Sequence, residues 1–152
     1  MTMINHLALL YKISQLKEKL YIDLLRKLEI KNLMPVHINI LLVIEKIKDK
    51  PIIVNVAKEL CKSKADTSAV ISTLVKKGYI TCKVLASDRR SKLLTLTPKA
   101  QEIIKKAALI KEQIDSILLN KLNSIEKNML HSYLLTAGNN LEVALKSDSS
   151  LV

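Results

Sequence analysis

Two glycines and three prolines in 152 residues leave this chain few obvious places to turn. Glycine supplies the left-handed backbone that tight turns use and proline interrupts regular structure, so their scarcity favours long helices joined by short connections. The apolar residues agree. They make up 49% of the chain, yet its aromatics are four tyrosines, with no phenylalanine or tryptophan. A core must then be assembled from Leu, Ile and Val, which suits helix packing. The length fits one domain with its own core, or a core carrying helical extensions; one domain is expected.

Periodicity places the elements. Between Ile4 and Ile30, Leu9, Leu10, Ile13, Leu16, Leu20, Leu24, Leu25 and Leu28 recur at spacings of three and four, which predicts a long first helix. Asn32 to Pro35 ends it, and Pro35 opens a second helix that buries Ile38, Leu41, Leu42 and Ile47. Pro51 admits a short extended piece at Ile52 to Val54, and Asn55 is placed to cap a short third helix, VAKELCK. Ser63 caps the next, with Asp66 facing its free N–H groups; Thr67, Val70, Ile71 and Leu74 line its inner face, and Gly78 closes it in the left-handed conformation. The opposite face carries Lys64, Ser68, Ala69, Ser72, Thr73 and Lys76, small or basic throughout.

Beyond Gly78 the period changes to two. Tyr79 to Leu85 and Lys92 to Thr97 read as the strands of a half-buried hairpin, with Cys82 pointing inward. Thr97 and Pro98 start a long helix through Ile103, Ile110 and Ile117 that bends or breaks at Asn120 to Ser124. A last helix follows, weakly interrupted at Gly138, and the tail from Ser147 is expected to fray.

Charge is unevenly spread. The net +11 is made of +2 over residues 1–45, +9 over residues 46–99 and zero over residues 100–152. Lysines added for solubility would not leave the last third neutral, so the basic middle indicates an acidic partner there, most often nucleic acid. No apolar run approaches the roughly 20 residues of a membrane span, and the first 20 residues lack the pattern of a secretory signal, so a soluble cytoplasmic protein is expected. Cys61 and Cys82 lack the spacing of metal ligands and read as two reduced, buried thiols. His6, His37 and His131 have no acid or cysteine at ligand spacing, and no nucleophile–base pair, paired carboxylates or phosphate loop is visible. Neither an enzyme, a metal nor a cofactor is expected.

Two short helices meeting at Cys61 to Ser63, the second with an apolar back and a small polar front, form a helix-turn-helix. The hairpin that follows makes it a winged helix. Its tip, ASDRRSK, lacks the Gly or Asn of common hairpin turns and carries Asp88, Arg89 and Arg90 instead. The fold class expected is therefore mainly α with a small β-hairpin, a winged helix-turn-helix flanked by helices at both ends.

The segment VAKELCKSKADTSAVISTLVKKGYI, followed by SDRRSKLLTLTPKAQEII, resembles the MarR family of bacterial transcription regulators. The shared elements are Leu74 to Ile80 closing the helix-turn-helix, Asp88 and Arg90 at the wing tip, and Leu96–Thr97 opening the next helix. The order and length of the flanking helices extend the resemblance over nearly the whole chain. It implies a homodimer whose terminal helices interlock, with a dimerisation helix over residues 1–34, a DNA-binding domain over 35–97 and dimerisation helices over 98–146, leaving 147–152 as a tail. Double-stranded DNA is the implied partner, read as a palindrome with the helix of residues 64–77 in the major groove and the wing of residues 86–92 in the minor groove. Both repression and activation fit such a protein. Three positions depart from the pattern: Thr67 stands in place of a larger apolar residue, Ala69 where many members carry a guanine-reading Arg, and Ala100 in place of a glycine.

At single residues the alternatives stay open. Lys62, Lys64, Lys76 and Lys83 are candidates for phosphate contact or for a solvated face. Ser63 can donate to phosphate or cap the helix, and Ser68, Ala69 and Thr73 face the bases. Arg90 enters a minor groove with Asp88 as its orienting ion-pair partner and Arg89 near a phosphate, or these residues merely stabilise a turn. Cys61 beside Lys62 has the setting of a redox thiol, though a structural role is favoured. Tyr11, Tyr21, Arg26 and His37 could line an effector crevice or simply pack. The rival to a DNA-binding regulator is a winged module that binds an acidic protein.

Overall fold

A computed structural model describes residues 5–147. It divides into two compact units, Met1–Ile114 and Asp115–Val152.

Helix α1 (His6–Lys27) opens with the Asn5 side chain accepting the N–H of Ala8. Its apolar stripe enters the core only at the carboxy-terminal end, through Tyr21, Leu24 and Leu25. Pro35 then sits at the first turn of α2 (Pro35–Lys46), where its missing N–H costs nothing. The buried face of α2 is Ile38, Ile40, Leu41 and Ile44, whereas Leu42 and Ile47 are half-buried. The apolar stretch from Ile38 to Ile44 leaves several phases of the stripe open, and the neighbouring elements select among them.

Helix α3 (Ile53–Glu59) begins two residues before Asn55, with Ile52 in the capping position. The extended piece expected at Ile52 to Val54 shrinks to Ile52, bridged to Leu93. Asn55 instead reaches back to donate to the Lys50 carbonyl at 3.0 Å. Helix α4 (Lys64–Lys76) starts as the sequence suggests: the Ser63 hydroxyl oxygen accepts the Asp66 N–H at 3.0 Å. Thr67, Ile71 and Leu74 are buried along its inner face. A threonine is tolerated there because its own hydroxyl is paired, donating to the Ser63 carbonyl at 2.8 Å.

Strands β1 (Ile80–Val84) and β2 (Lys92–Leu96) pair antiparallel, with Ile80 opposite Leu96 and Val84 opposite Lys92. On its other side β2 is held by the Leu94 N–H donating to the Pro51 carbonyl at 2.8 Å. Only the base of the hairpin lies on the core, through Ile80 and Leu94. Cys82 shares a face with Leu94, its register partner, but β1 is the outer strand and Cys82 is exposed, contrary to the alternation argument. Cys61 is exposed as well, so neither thiol is the buried structural residue expected.

Helix α5 (Pro98–Leu118) lays Ala100, Ile104, Ala107, Ile110 and Ile114 along the core. Thr97 starts it: its side-chain oxygen accepts the Ala100 N–H while its hydroxyl donates to the Gly78 carbonyl at 2.8 Å, joining the end of α4 to the start of α5. In the second unit, α6 (Ser124–Lys146) has a reciprocal cap, Asn123 accepting from the Glu126 N–H and Glu126 from the Asn123 N–H. It runs unbroken through Gly138, since one glycine costs a long helix only about 1 kcal/mol. No residue of α6 is buried. Ser147 closes it; the rest of the tail expected to fray lies outside the described residues. None of the described helices is long and apolar enough to cross a membrane.

Candidate nucleic-acid interface

The turn between α3 and α4 is held by backbone bonds. Cys61 adopts φ 51°, and the N–H groups of Cys61 and Lys62 return to the carbonyls of Lys58 and Ala57. This is a Schellman closure made without glycine. It delivers Ser63 directly onto the start of α4, where its hydroxyl donates to Asp66 Oδ2 at 2.7 Å. Ser63 and Asp66 therefore spend their polar atoms on each other and on the helix terminus.

The outward face of α4 carries Lys64, Ala65, Ala69, Ser72 and Lys76, all exposed, with Ser68 and Thr73 half-buried at its margins. The Thr73 hydroxyl is turned back to the Ala69 carbonyl at 3.3 Å. At the far end Gly78, at φ 78°, closes the helix with a second Schellman pair, Tyr79 N–H to Leu74 and Gly78 N–H to Val75. Lys77 is drawn away from this face, its ammonium donating to the Asn32 carbonyl at 2.7 Å. Lys99 in turn donates to the Lys77 carbonyl at 2.8 Å and lies over the Tyr79 ring.

The wing tip is built from two successive turns. The Asp88 N–H returns to the Leu85 carbonyl and the Ser91 N–H to the Asp88 carbonyl, closed at the base by the Leu85 N–H to the Ser91 carbonyl. No residue from Leu85 to Ser91 has positive φ, so neither Gly nor Asn is needed. Asp88 organises the turn. Its Oδ1 accepts the Arg90 backbone N–H at 3.0 Å and its Oδ2 accepts the Ser91 hydroxyl at 2.7 Å, and these two bonds, the Ser91 one first, hold its carboxyl below the usual carboxylate range. The ion pair expected between Asp88 and Arg90 does not form: among the described residues, the salt bridges are Arg26–Asp23, Lys46–Glu59 and Lys105–Glu102. Asp88 thus positions Arg90 through its backbone, and both guanidinium groups of Arg89 and Arg90 project from an exposed tip.

The other candidates separate. Lys83 lies exposed on β1, beside the exposed Cys82. Lys62 lines a cleft of about 170 Å³ with Glu18, Val36, Asn39 and Leu60, between α1, α2 and the turn. None of the four residues considered for an effector crevice lines this cleft. Tyr11 is exposed, and Arg26 is paired with Asp23 at 3.3 Å. Tyr21 is buried with its hydroxyl unpartnered, and burial, with Glu18 nearby, pushes its pKa up to about 12. His37 is structural: Nδ1 accepts the Met34 N–H at 2.8 Å at the start of α2, and burial followed by the Lys77 charge lowers its pKa.

Helix, turn, helix and hairpin in this order match the backbone of a group of solved structures. A MarR protein from Peptoclostridium difficile is 23% identical, covering 97% of this chain and 98% of its own, with a TM-score of 0.81. The chain has the fold of the MarR family. The MepR–DNA complex of S. aureus is 19% identical over 91% of this chain and 99% of its own, also with a TM-score of 0.81. BpsR of Bordetella bronchiseptica, whose DNA binding is regulated by 6-hydroxynicotinic acid, is 20% identical over 88% and 93%, with a TM-score of 0.76. No family model and no curated protein matches the sequence. At these identities the MarR likeness is one of backbone, so what the chain binds must be argued from its own side chains.

Proposed function

We propose that this chain is a homodimeric MarR-like regulator of transcription that binds double-stranded DNA. Helix α4 enters the major groove with residues 64–77, and the wing, residues 86–92, follows the adjacent minor groove. Two copies present two such surfaces to a palindromic site. The observation that carries this reading is the pairing of a small, exposed, lysine-ended face on α4 with an arginine-tipped wing, in the segment that holds +9 of the net +11 charge. The MarR fold, shared with a protein solved on DNA, supports it. Small side chains let the helix backbone approach base edges in a groove about 12 Å wide. Lys64 and Lys76 at its ends, with Lys83 on β1, supply phosphate contacts, and Lys62, just before the cap of α4, adds charge from the turn. Residues 1–34 and 98–146 supply the dimerisation helices, because α1 and α6 carry exposed apolar side chains from Leu7 to Leu16 and from Ile125 to Leu145. Occlusion of polymerase is the simplest consequence of occupying such a site.

The test is salt dependence. Contact with several phosphates makes log affinity fall linearly against log salt. Replacing Arg89 and Arg90 together by Ala should weaken binding to every duplex tried and reduce the slope by about 2. Unchanged affinity and slope would remove the wing from the interface, and an acidic protein bound in preference to DNA would replace the proposal altogether.

A further inference from the structure

We infer that the DNA this surface selects is rich in A·T pairs, read as such in both grooves. The inference rests on the function proposed above and specifies its ligand. In the major groove guanine is recognised at N7 and O6 by the donors of Arg or Lys, adenine by Asn or Gln, and thymine by apolar contact with its C5 methyl. Between its terminal lysines the exposed face of α4 offers Ala65, Ala69 and Ser72. Two methyl groups one helical turn apart gain by meeting thymine methyls. Facing a G·C pair they would meet no methyl, and no side chain between the terminal lysines offers the guanidinium or ammonium donors that guanine N7 and O6 accept. Asp66, the acid on this helix able to accept from a cytosine amino group, is already engaged by the Ser63 hydroxyl at 2.7 Å.

The wing supplies an independent argument. The chain has three arginines, Arg26, Arg89 and Arg90. Arg26 lies on α1, beside Asp23, so the arginines carried by the winged helix-turn-helix are the adjacent pair at the wing tip. The minor groove distinguishes A·T from G·C and little else. It is narrow over A-tracts, where the deeper negative potential draws arginine in, and the guanine amino group is absent. Among the described residues neither guanidinium group at the tip is in a salt bridge, the Asp88 carboxylate accepting instead from the Arg90 N–H and the Ser91 hydroxyl. Helix and wing therefore favour the same base pairs by unrelated chemistry.

Four alternating copolymers separate the two grooves. Poly(dA-dU) differs from poly(dA-dT) only by the thymine methyl, and poly(dI-dC) keeps the major-groove face of poly(dG-dC) but lacks its minor-groove amino group. With the full chain at one salt concentration, poly(dA-dT) should bind roughly tenfold or more tighter than poly(dG-dC), with the other two between them. The substitution Ala69→Arg should shift the ratio toward poly(dG-dC). Equal affinity for all four polymers, with a steep salt slope, would overturn the A·T preference while leaving DNA binding in place. Salt-sensitive binding to none of them would overturn the DNA-binding proposal itself.

Discussion

The Ser91 hydroxyl donates to Asp88 Oδ2 at 2.7 Å while Asp88 Oδ1 takes the Arg90 N–H at 3.0 Å, so a single carboxylate spans the tip of the wing. This explains a hairpin without the usual turn residues. The loop from Leu85 to Ser91 is long enough for two ordinary turns, and a side chain, rather than a left-handed backbone, holds them together. Among the described residues the two arginine side chains are in no salt bridge, and the same arrangement fixes the backbone from which they project. Ordering the loop before binding reduces the entropy lost when it docks.

Asp88→Ala should therefore separate wing order from fold stability. The carboxylate is fully exposed and touches nothing in the core, so the thermal midpoint should stay close to that of the parent chain. The Arg90 amide should exchange with solvent faster, and DNA affinity should fall about tenfold. Asp88→Asn keeps an acceptor for the Arg90 N–H and should recover much of the loss. Equal affinity of parent and Asp88→Ala, measured by fluorescence anisotropy on one duplex, would show that the tip needs no preordering.

His37 makes stability depend on pH near neutrality. Its Nδ1 must be unprotonated to accept the Met34 N–H, and its pKa is lowered, first by burial and then by Lys77. The unfolded chain, where histidine titrates near its ordinary 6.5, takes up the proton more readily than the folded chain does. The contribution is thus fully present above that value and is lost as pH falls from 6.5 through the lowered folded value. A protonated ring would also place positive charge at the start of a helix. Urea midpoints at pH 7.5 and pH 5.5 should differ more for the parent than for His37→Gln, whose amide oxygen can accept the same N–H at any pH. An equal change in both proteins would exclude His37 as the source.

Much of this architecture is legible in the sequence, and the failures have physical reasons. Ser63, Gly78 and Thr97–Pro98 mark helix ends because each satisfies terminal groups locally. Glycine scarcity misleads in one respect. Glu29, Asn32, Lys50, Cys61 and Lys121 all adopt positive φ, and the Glu29 and Cys61 closures have the same bond pattern as Gly78. A left-handed residue is tolerated at about 1–2 kcal/mol when the surrounding bonds require it, a cost that residue type alone does not reveal. Cys82 fails for a different reason: period-two alternation gives the face of a strand but not how far along the hairpin the helices extend. The candidate interface was legible as chemistry, in lysines, small residues and wing arginines. The role of Asp88 was not, since spacing alone cannot distinguish an ion pair with the Arg90 side chain from a bond to its backbone.

The stripe on α1 makes the dimer testable. Leu9, Ile13, Leu16, Leu20 and Leu24 recur at four- and three-residue steps, but only Leu24 is buried, Leu20 is half-buried, and Leu9 and Leu16 are each 55% exposed. A continuous apolar stripe covered at one end and bare at the other needs a second surface, and α6, with no buried residue and Leu145 85% exposed, has the same need. Covering one leucine contributes about 1.5–3 kcal/mol, so several together suffice for stable association. Sedimentation at micromolar concentration should give the mass of two chains. Leu9→Glu combined with Leu16→Glu should weaken association at least 100-fold, since each change loses apolar burial and adds a charge to the contact. The inner core, from Leu24 onward, is untouched, so helical circular dichroism from the winged unit should persist and distinguish dissociation from unfolding. DNA affinity should fall with dissociation, because each half-site would then be held by one surface instead of two. A parent chain that sediments as a monomer would leave the exposed leucines unexplained and would contradict the two-fold reading of a palindrome.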